Sequence, residues 1–119
     1  MRYKDFVENQ TLFKYLPLSE ATYYVLLALE EPLHGYAIMQ KIEELSEGTV
    51  TIGPGTLYGA FSTLEKQGLI EKVKEEERRK TYALTRDGCL VLSEQVRRLE
   101  IMARSGKATL KNLKIGTLK

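Results

Sequence analysis

The stretch from Gly53 to Leu84 constrains this chain most. Gly53 can cap a helix, Pro54 suits the first helical position because its φ is already set, and Gly68 suits the left-handed residue at which helices end. These brackets predict a helix of about three to four turns. Within it Leu57, Phe61 and Leu64 fall at i, i+4 and i+7, one apolar stripe that faces a core. The opposite face carries Thr56, Gly59, Ala60, Ser62, Thr63 and Lys66. With few long charged side chains, it can approach another surface closely. An ordinary solvated helix face has the same pattern, so the context must decide.

That context is two β-prone runs, Leu69 to Lys74 and Lys80 to Leu84, joined by Glu75-Glu76-Glu77-Arg78-Arg79. Together they read as a hairpin with a charged tip projecting into solvent. A helix followed at once by such a hairpin is the arrangement of a winged helix-turn-helix, in which the helix enters the major groove and the wing reaches the flanking backbone or minor groove. The expected fold is mainly α with a small β-hairpin wing, followed by a C-terminal helix.

With 119 residues, 43% of them hydrophobic, the chain is expected to be one domain with a buried core, small for an enzyme with a separate substrate cleft. No run of eighteen apolar residues and no signal pattern at the start are visible, which points to a soluble cytoplasmic protein with no membrane partner. Cys89 is the only cysteine, so no disulfide can form within the chain. The net charge is only +2, but residues 1 to 52 carry four basic and eight acidic side chains, whereas residues 53 to 119 carry fourteen basic and eight acidic. A basic second half suits a face turned toward phosphate, and a solvated basic tail accounts for part of it.

Residues 1 to 16 include Tyr3, Phe6, Val7, Leu12, Phe13, Tyr15 and Leu16, a high apolar load for a terminus. They fit either a helix packed on its own domain or an arm on a second subunit. Pro17 interrupts this segment, Ser19 is a good N-cap, and Ala21 to Leu29, apolar nearly all round, reads as the central buried helix. Pro32 ends it. His34-Gly35-Tyr36 opens the next helix, with Ile38, Ile42 and Leu45 expected to face inward and Gly48 to close it. Thr49-Val50-Thr51-Ile52 alternates as a short strand could, with the later hairpin as its partner. His34 has neither a second histidine nor a nearby cysteine, so neither a metal site nor a catalytic set is expected. Gly53 and Gly55 lack the third glycine or Gly-Lys-Ser/Thr ending of a phosphate-cradling loop and read as turn chemistry.

Thr85 to Gly88 reads as an N-cap and first turn of a helix expected to end near Arg104. Leu92, Val96, Leu99 and Ala103 form a seam with spacings of 4, 3 and 4, and Met102 lies beside it. The seam fits either packing on the winged domain or a second copy of the chain. Ser105 to Lys119 holds four lysines and no acid, and reads as a flexible basic tail that could strengthen DNA binding by counterion release. The expected organisation is a DNA-binding unit over 1–85, a dimerisation helix over 86–104 and a tail over 105–119.

Leu33-His34-Gly35-Tyr36-Ala37-Ile38, Gly55-Thr56-Leu57-Tyr58, Leu64-Glu65-Lys66-Gln67-Gly68-Leu69-Ile70 and Arg79-Lys80-Thr81-Tyr82-Ala83-Leu84-Thr85-Arg86-Asp87-Gly88 follow in order over about residues 17 to 90. This succession resembles the PadR family of bacterial transcriptional regulators. The resemblance implies a winged-helix DNA-binding domain, a C-terminal dimerisation helix and, as a rule, repression relieved by a small molecule. The short segment after the wing is similar to that of the subgroup with one C-terminal helix. Carried over, the groove-entering helix is Gly55 to Gln67, Tyr58 approaches phosphate, Tyr36 sits near the backbone, and Arg78, Arg79 and Lys80 are the wing bases. Two departures stand out: Gly59 occupies a position where many relatives have proline, and Glu75 to Glu77 precede the wing bases.

These readings combine into a homodimer that sets its Gly55 to Gln67 helices roughly 34 Å apart in successive major grooves of an inverted repeat. Gly55 would offer free N–H groups to a phosphate, with Lys66 nearby; Thr56, Ser62 and Thr63 would bond base edges or phosphates, and Gly59 would allow close approach. The dimer contact would use Phe6, Leu12, Phe13, Leu92, Val96, Leu99, Met102 and Ala103. A small-molecule effector would bind between the C-terminal helices. No cofactor, metal or catalytic residue is expected. The competing reading is a winged helix that binds proteins and never touches DNA.

Overall fold

The computed structural model describes residues 10–113. After a short 3-10 helix, Gln10–Tyr15, come α1 (Glu20–Ala28), β1 (Leu33–His34), α2 (Gly35–Leu45), α3 (Pro54–Lys66), β2 (Ile70–Glu76), β3 (Arg79–Leu84) and α4 (Arg86–Leu113). The strands form one antiparallel sheet in the order β1-β3-β2. The three helices and the small sheet make the expected winged helix-turn-helix, with α2 and α3 as its helix pair.

Local signals start and stop the helices. The Ser19 Oγ accepts the Thr22 N–H at 3.1 Å, capping α1. Val25, Leu26 and Ala28 on α1, Ile38 and Ile42 on α2, and Leu57, Phe61 and Leu64 on α3 meet in one core that Leu69, Ile70 and Tyr82 close at the sheet and Val91 closes from α4. At the end of α3, Gly68 has φ +74°, the Leu69 N–H donates to the Leu64 carbonyl and the Gly68 N–H to the Glu65 carbonyl, both at 3.0 Å. This is the paired bond pattern that satisfies the last carbonyls of a helix.

Three expectations fail, each for a tertiary reason. Thr49 to Ile52 is no strand, although Val50 and Ile52 are buried and both threonines exposed. The Ser46 Oγ accepts the Val50 N–H at 3.1 Å and lies 3.2 Å from its carbonyl oxygen, so the groups a sheet would need are already taken. The third strand is instead Leu33–His34, in register with Tyr82 and Thr81. Leu45 does not face inward but is 43% exposed, because Ser46, one turn beyond Ile42, takes the buried place. Finally, the last helix does not stop near Arg104; it continues to Leu113, so residues 105–113 are helical and not a flexible tail.

The Gln10–Tyr15 helix packs on α4, with Phe13 buried and Leu12 half-buried. This is the own-domain alternative for that segment. Phe6 lies outside the described residues.

The start of α4 is locked to the end of α3. The Thr85 Oγ1 donates to the Gly68 carbonyl at 2.6 Å and accepts the Gly88 N–H at 3.0 Å, while the Thr85 N–H donates to the Leu69 carbonyl at 3.1 Å. Gly88 presses so closely on Leu69 that a Cβ would collide with the Leu69 carbonyl oxygen and lie 3.0 Å from its carbon. Further along, Gln95 accepts the Leu18 N–H at 2.7 Å. Buried Glu94 accepts two bonds from Arg97 and one from Arg98, all at 2.8 Å. The Arg97 bonds lower the Glu94 carboxyl to about 2 from 4.5; burial opposes them and Arg98 assists.

Two stability predictions follow from these contacts. Gly88→Ala should cost about 1–3 kcal/mol or more in urea denaturation, since the added carbon meets backbone that cannot rotate away. Glu94→Gln should cost about 1–3 kcal/mol at pH 7. The difference from wild type should shrink as pH falls from about 4.5 toward 2, because a depressed carboxyl stabilises only while the folded form stays ionised.

Candidate nucleic-acid interface

Burying Leu57, Phe61 and Leu64 turns the rest of α3 outward. Gly55, Thr56, Tyr58, Gly59, Ser62, Thr63 and Lys66 are all exposed. Sequence spacing puts Thr56, Gly59, Ala60, Ser62, Thr63 and Lys66 on one face; the structure sets Ser62 on one flank and Thr56, Gly59, Ala60 and Thr63 on the other. Thr56, Gly59 and Thr63 line a groove shared with Ser19 and Thr22 at the start of α1. Tyr58 and Ser62 line a cleft of about 620 Å³ whose other walls are His34, Gly35 and Tyr36 at the start of α2 and Arg78, Arg79 and Lys80 of the hairpin.

An aromatic chain fixes this cleft. Phe61 stacks on Tyr82 of β3 with ring centroids 4.4 Å apart, and Tyr58 meets Phe61 edge-on at 5.8 Å. The wing is thereby held against α3 by ring packing. Burial, then the nearby Glu65 carboxylate, raises the Tyr82 phenol above its ordinary value, so it stays neutral. Tyr36 is 65% exposed and its hydroxyl lies 3.4 Å from the Gln40 Nε2; Tyr58 is 55% exposed. Two phenols therefore flank the cleft mouth.

The wing's charge is arranged by its backbone. Val73 is an extra residue in β2, between the pairs Lys72 with Tyr82 and Lys74 with Thr81. In a regular strand Lys72 and Glu75 would point to opposite faces; the bulge brings them together at 2.9 Å. Lys74 reaches Glu76 at 3.3 Å. The hydrogen bond between them raises the Lys72 ammonium and lowers the Glu75 carboxyl. Two of the three wing-tip acids are thus neutralised inside β2. The hairpin turns through Glu77 and Arg78, at φ 47° and 73°, a backbone that asparagine and glycine adopt more readily. Arg78, Arg79 and Lys80 line the cleft next to this turn.

Five lining residues of the cleft are missing from the sequence-based set: His34, Gly35, Phe61, Glu65 and Tyr82. Glu65 is the sole carboxylate among its lining residues, and His34 stands at its edge. Glu65 was within reach of helical spacing, being one turn from Ser62 and two from Tyr58. His34 read only as a helix-entry residue until its pairing with Thr81 set it in the cleft wall.

The helix α4 uses Gly88, Val91, Glu94 and Gln95 to pack on its own domain. Leu92, Val96 and Leu99 are half-buried beside them, Leu92 against the core, and Met102 and Ala103 are exposed. From Glu100 to Leu113 every residue is exposed, including Leu110 and Leu113, which continue the alternating spacing of the seam. Among the described residues no group of three or more His, Cys, Asp or Glu could hold a metal ion, and no helix is long and apolar enough to cross a membrane.

Known proteins share this architecture. A model of the transcriptional regulator PadR-like family matches residues 25–94. An uncharacterized 37.1 kDa protein in a Streptomyces fradiae transposon is 40% identical over 78 residues, 65% of this chain and 22% of that one. The transcriptional regulator YqjI of Escherichia coli K12 is 36% identical over 75 residues, 63% of this chain and 36% of that one. The chain thus spans about a fifth to a third of these relatives' lengths. A solved transcriptional regulator from Clostridium thermocellum superposes with a TM-score of 0.62 at 27% identity, covering 83% of this chain and 96% of that one. Members of the matched family are regulators, not enzymes. With the family match extending over more than half of its length, through the helix pair, the wing and the start of α4, the chain belongs to the PadR-like family of transcriptional regulators.

Proposed function

We propose that this protein is a dimeric, cytoplasmic DNA-binding regulator, a repressor released by a small-molecule effector. The observation that carries the reading is the cleft between α3 and the wing, where Arg78, Arg79 and Lys80 face Tyr36 and Tyr58 beside a helix face with few long charged side chains. A phosphodiester strand passing between the major groove, entered by α3, and the minor groove under the wing would cross this cleft. The phenols and bases are donors for its oxygens. Gly55, Thr56, Gly59, Ser62, Thr63 and Lys66 lie on the exposed side of α3 that would approach the bases and the far strand. Serine and threonine discriminate bases weakly, so DNA shape and bridging water would supply part of the specificity.

The dimer contact in this reading is the unpaired face of α4. Leu92, Val96 and Leu99, which the chain's own domain half buries, and the exposed Ala103, Leu110 and Leu113 lie on a heptad-like stripe of α4. A second copy would cover it, with Met102 at its edge, and would place the two α3 helices roughly 34 Å apart on an inverted repeat. Phe13 is already inside its own domain, so the weight of this contact falls on α4. An effector between the α4 helices would act by preferring a dimer whose α3 helices no longer match the groove spacing.

Fluorescence anisotropy with mixed-sequence duplex DNA across a salt series tests the DNA contact. Affinity should fall steeply with salt, and Lys66→Ala and Arg79→Ala should each weaken binding and make the slope shallower by about one unit. Absence of binding at low salt would sink this reading in favour of a protein-binding winged helix. For the dimer, Leu99→Glu should raise the dissociation constant measured by sedimentation at least about tenfold, since it buries a charge in the apolar seam. A wild-type chain that sediments as a monomer at all accessible concentrations would remove the dimer from the proposal.

A further inference from the structure

We propose that Gly35 is a positioning residue for Tyr58: by having no side chain, it leaves the space in which the Tyr58 hydroxyl is held at the mouth of the cleft. The inference rests on the reading that Tyr58 donates to a DNA phosphate. Gly35 is buried at the first position of α2, and its φ is not in the left-handed region that favours glycine. At that position almost any residue could form the helix, and alanine would favour it. What excludes a side chain is Tyr58. A Cβ on Gly35 would lie 2.8 Å from its Oη and 3.3 Å from its Cζ, with Leu57 Cδ2 at an ordinary 3.5 Å.

This differs from Gly88, where the obstacle is backbone. At Gly35 the obstacle is the far end of a side chain that is 55% exposed and can swing outward. The fold would therefore tolerate the methyl, and the phenol would give way. The Tyr58 ring packs edge-on with Phe61 while the short contact is with its hydroxyl oxygen, so displacement falls mainly on the hydroxyl end. A hydrogen bond to phosphate depends steeply on distance and direction, so moving the hydroxyl loses the contact without touching a charged group. Gly53, Gly55, Gly59 and Gly106 have nothing within 4 Å of an added Cβ, and the same substitution there would disturb no neighbour.

The test is a double-mutant cycle with Gly35→Ala, Tyr58→Phe and the pair, read by anisotropy with labelled mixed-sequence duplex DNA and by thermal melting. Tyr58→Phe should weaken binding on the order of tenfold. Gly35→Ala should weaken it by a similar factor, leave the salt slope unchanged because a neutral hydroxyl releases no counterion, and have little further effect in the Tyr58→Phe background. Any loss of melting temperature caused by Gly35→Ala should also be smaller in that background, where the colliding oxygen is gone. Equal losses of affinity on Gly35→Ala in both backgrounds would overturn the proposal, as would unchanged affinity in Gly35→Ala beside a weakened Tyr58→Phe. Unchanged affinity in Tyr58→Phe itself would instead remove the phosphate role of Tyr58.

Discussion

The stacked pair of Phe61 and Tyr82 is the contact on which the rest of the interface depends. One ring belongs to the apolar stripe of α3, the other to the central strand of the sheet, and their centroids are 4.4 Å apart. Burying an aromatic side chain stabilises by about 1.5–3 kcal/mol. Here the same burial also sets a distance, since the wing bases and the exposed side of α3 can face one cleft only if the sheet is seated on the helix. Tyr58 extends the chain of rings to the surface, and β1 joins the start of α2 to the other edge of the strand that carries Tyr82. Helix, wing and helix entrance are thus referred to one packed centre.

A second constraint lies at the turn from α3 into the sheet. Gly68 ends the helix, its carbonyl accepts from Thr85, and Gly88 seats α4 on Leu69. The direction of α4 is therefore tied to the end of α3 through a few backbone contacts. In the proposed dimer this coupling makes helix spacing depend on α4, because a small rotation between two α4 helices would be carried to the α3 pair. Such a link is mechanical and needs no residue chain running through the core.

Charge is handled locally. Glu75 and Glu76 look unfavourable beside wing bases until each is seen to meet a lysine of the same strand, Glu75 through the Val73 bulge and Glu76 through ordinary strand alternation. Arg78, Arg79 and Lys80 have no ion pair among the described residues. Glu65 remains in the cleft as a carboxylate facing bases, a position that opposes phosphate and suits an acceptor for a base amino group.

Much of this architecture was legible in the chain itself. Gly53, Pro54 and Gly68 bracket α3, Ser19 and Thr85 begin their helices, and the Leu57, Phe61 and Leu64 stripe points inward, because capping and periodic burial act over a few residues and leave a mark at fixed spacing. The tertiary structure decided what depends on partners far along the chain. Leu33–His34 became a strand because Thr81 and Tyr82 lay beside it, and Thr49 to Ile52 did not because Ser46 had taken Val50's backbone groups. The hairpin reading was sound, but the bulge that brings Glu75 to Lys72 was invisible in the residue order. Likewise, one small-residue face on α3 became two flanks when α1 and the wing took their places on either side of it. Strand pairing and shared grooves require two surfaces to meet, and that information is distributed over the whole fold, not written in any one segment.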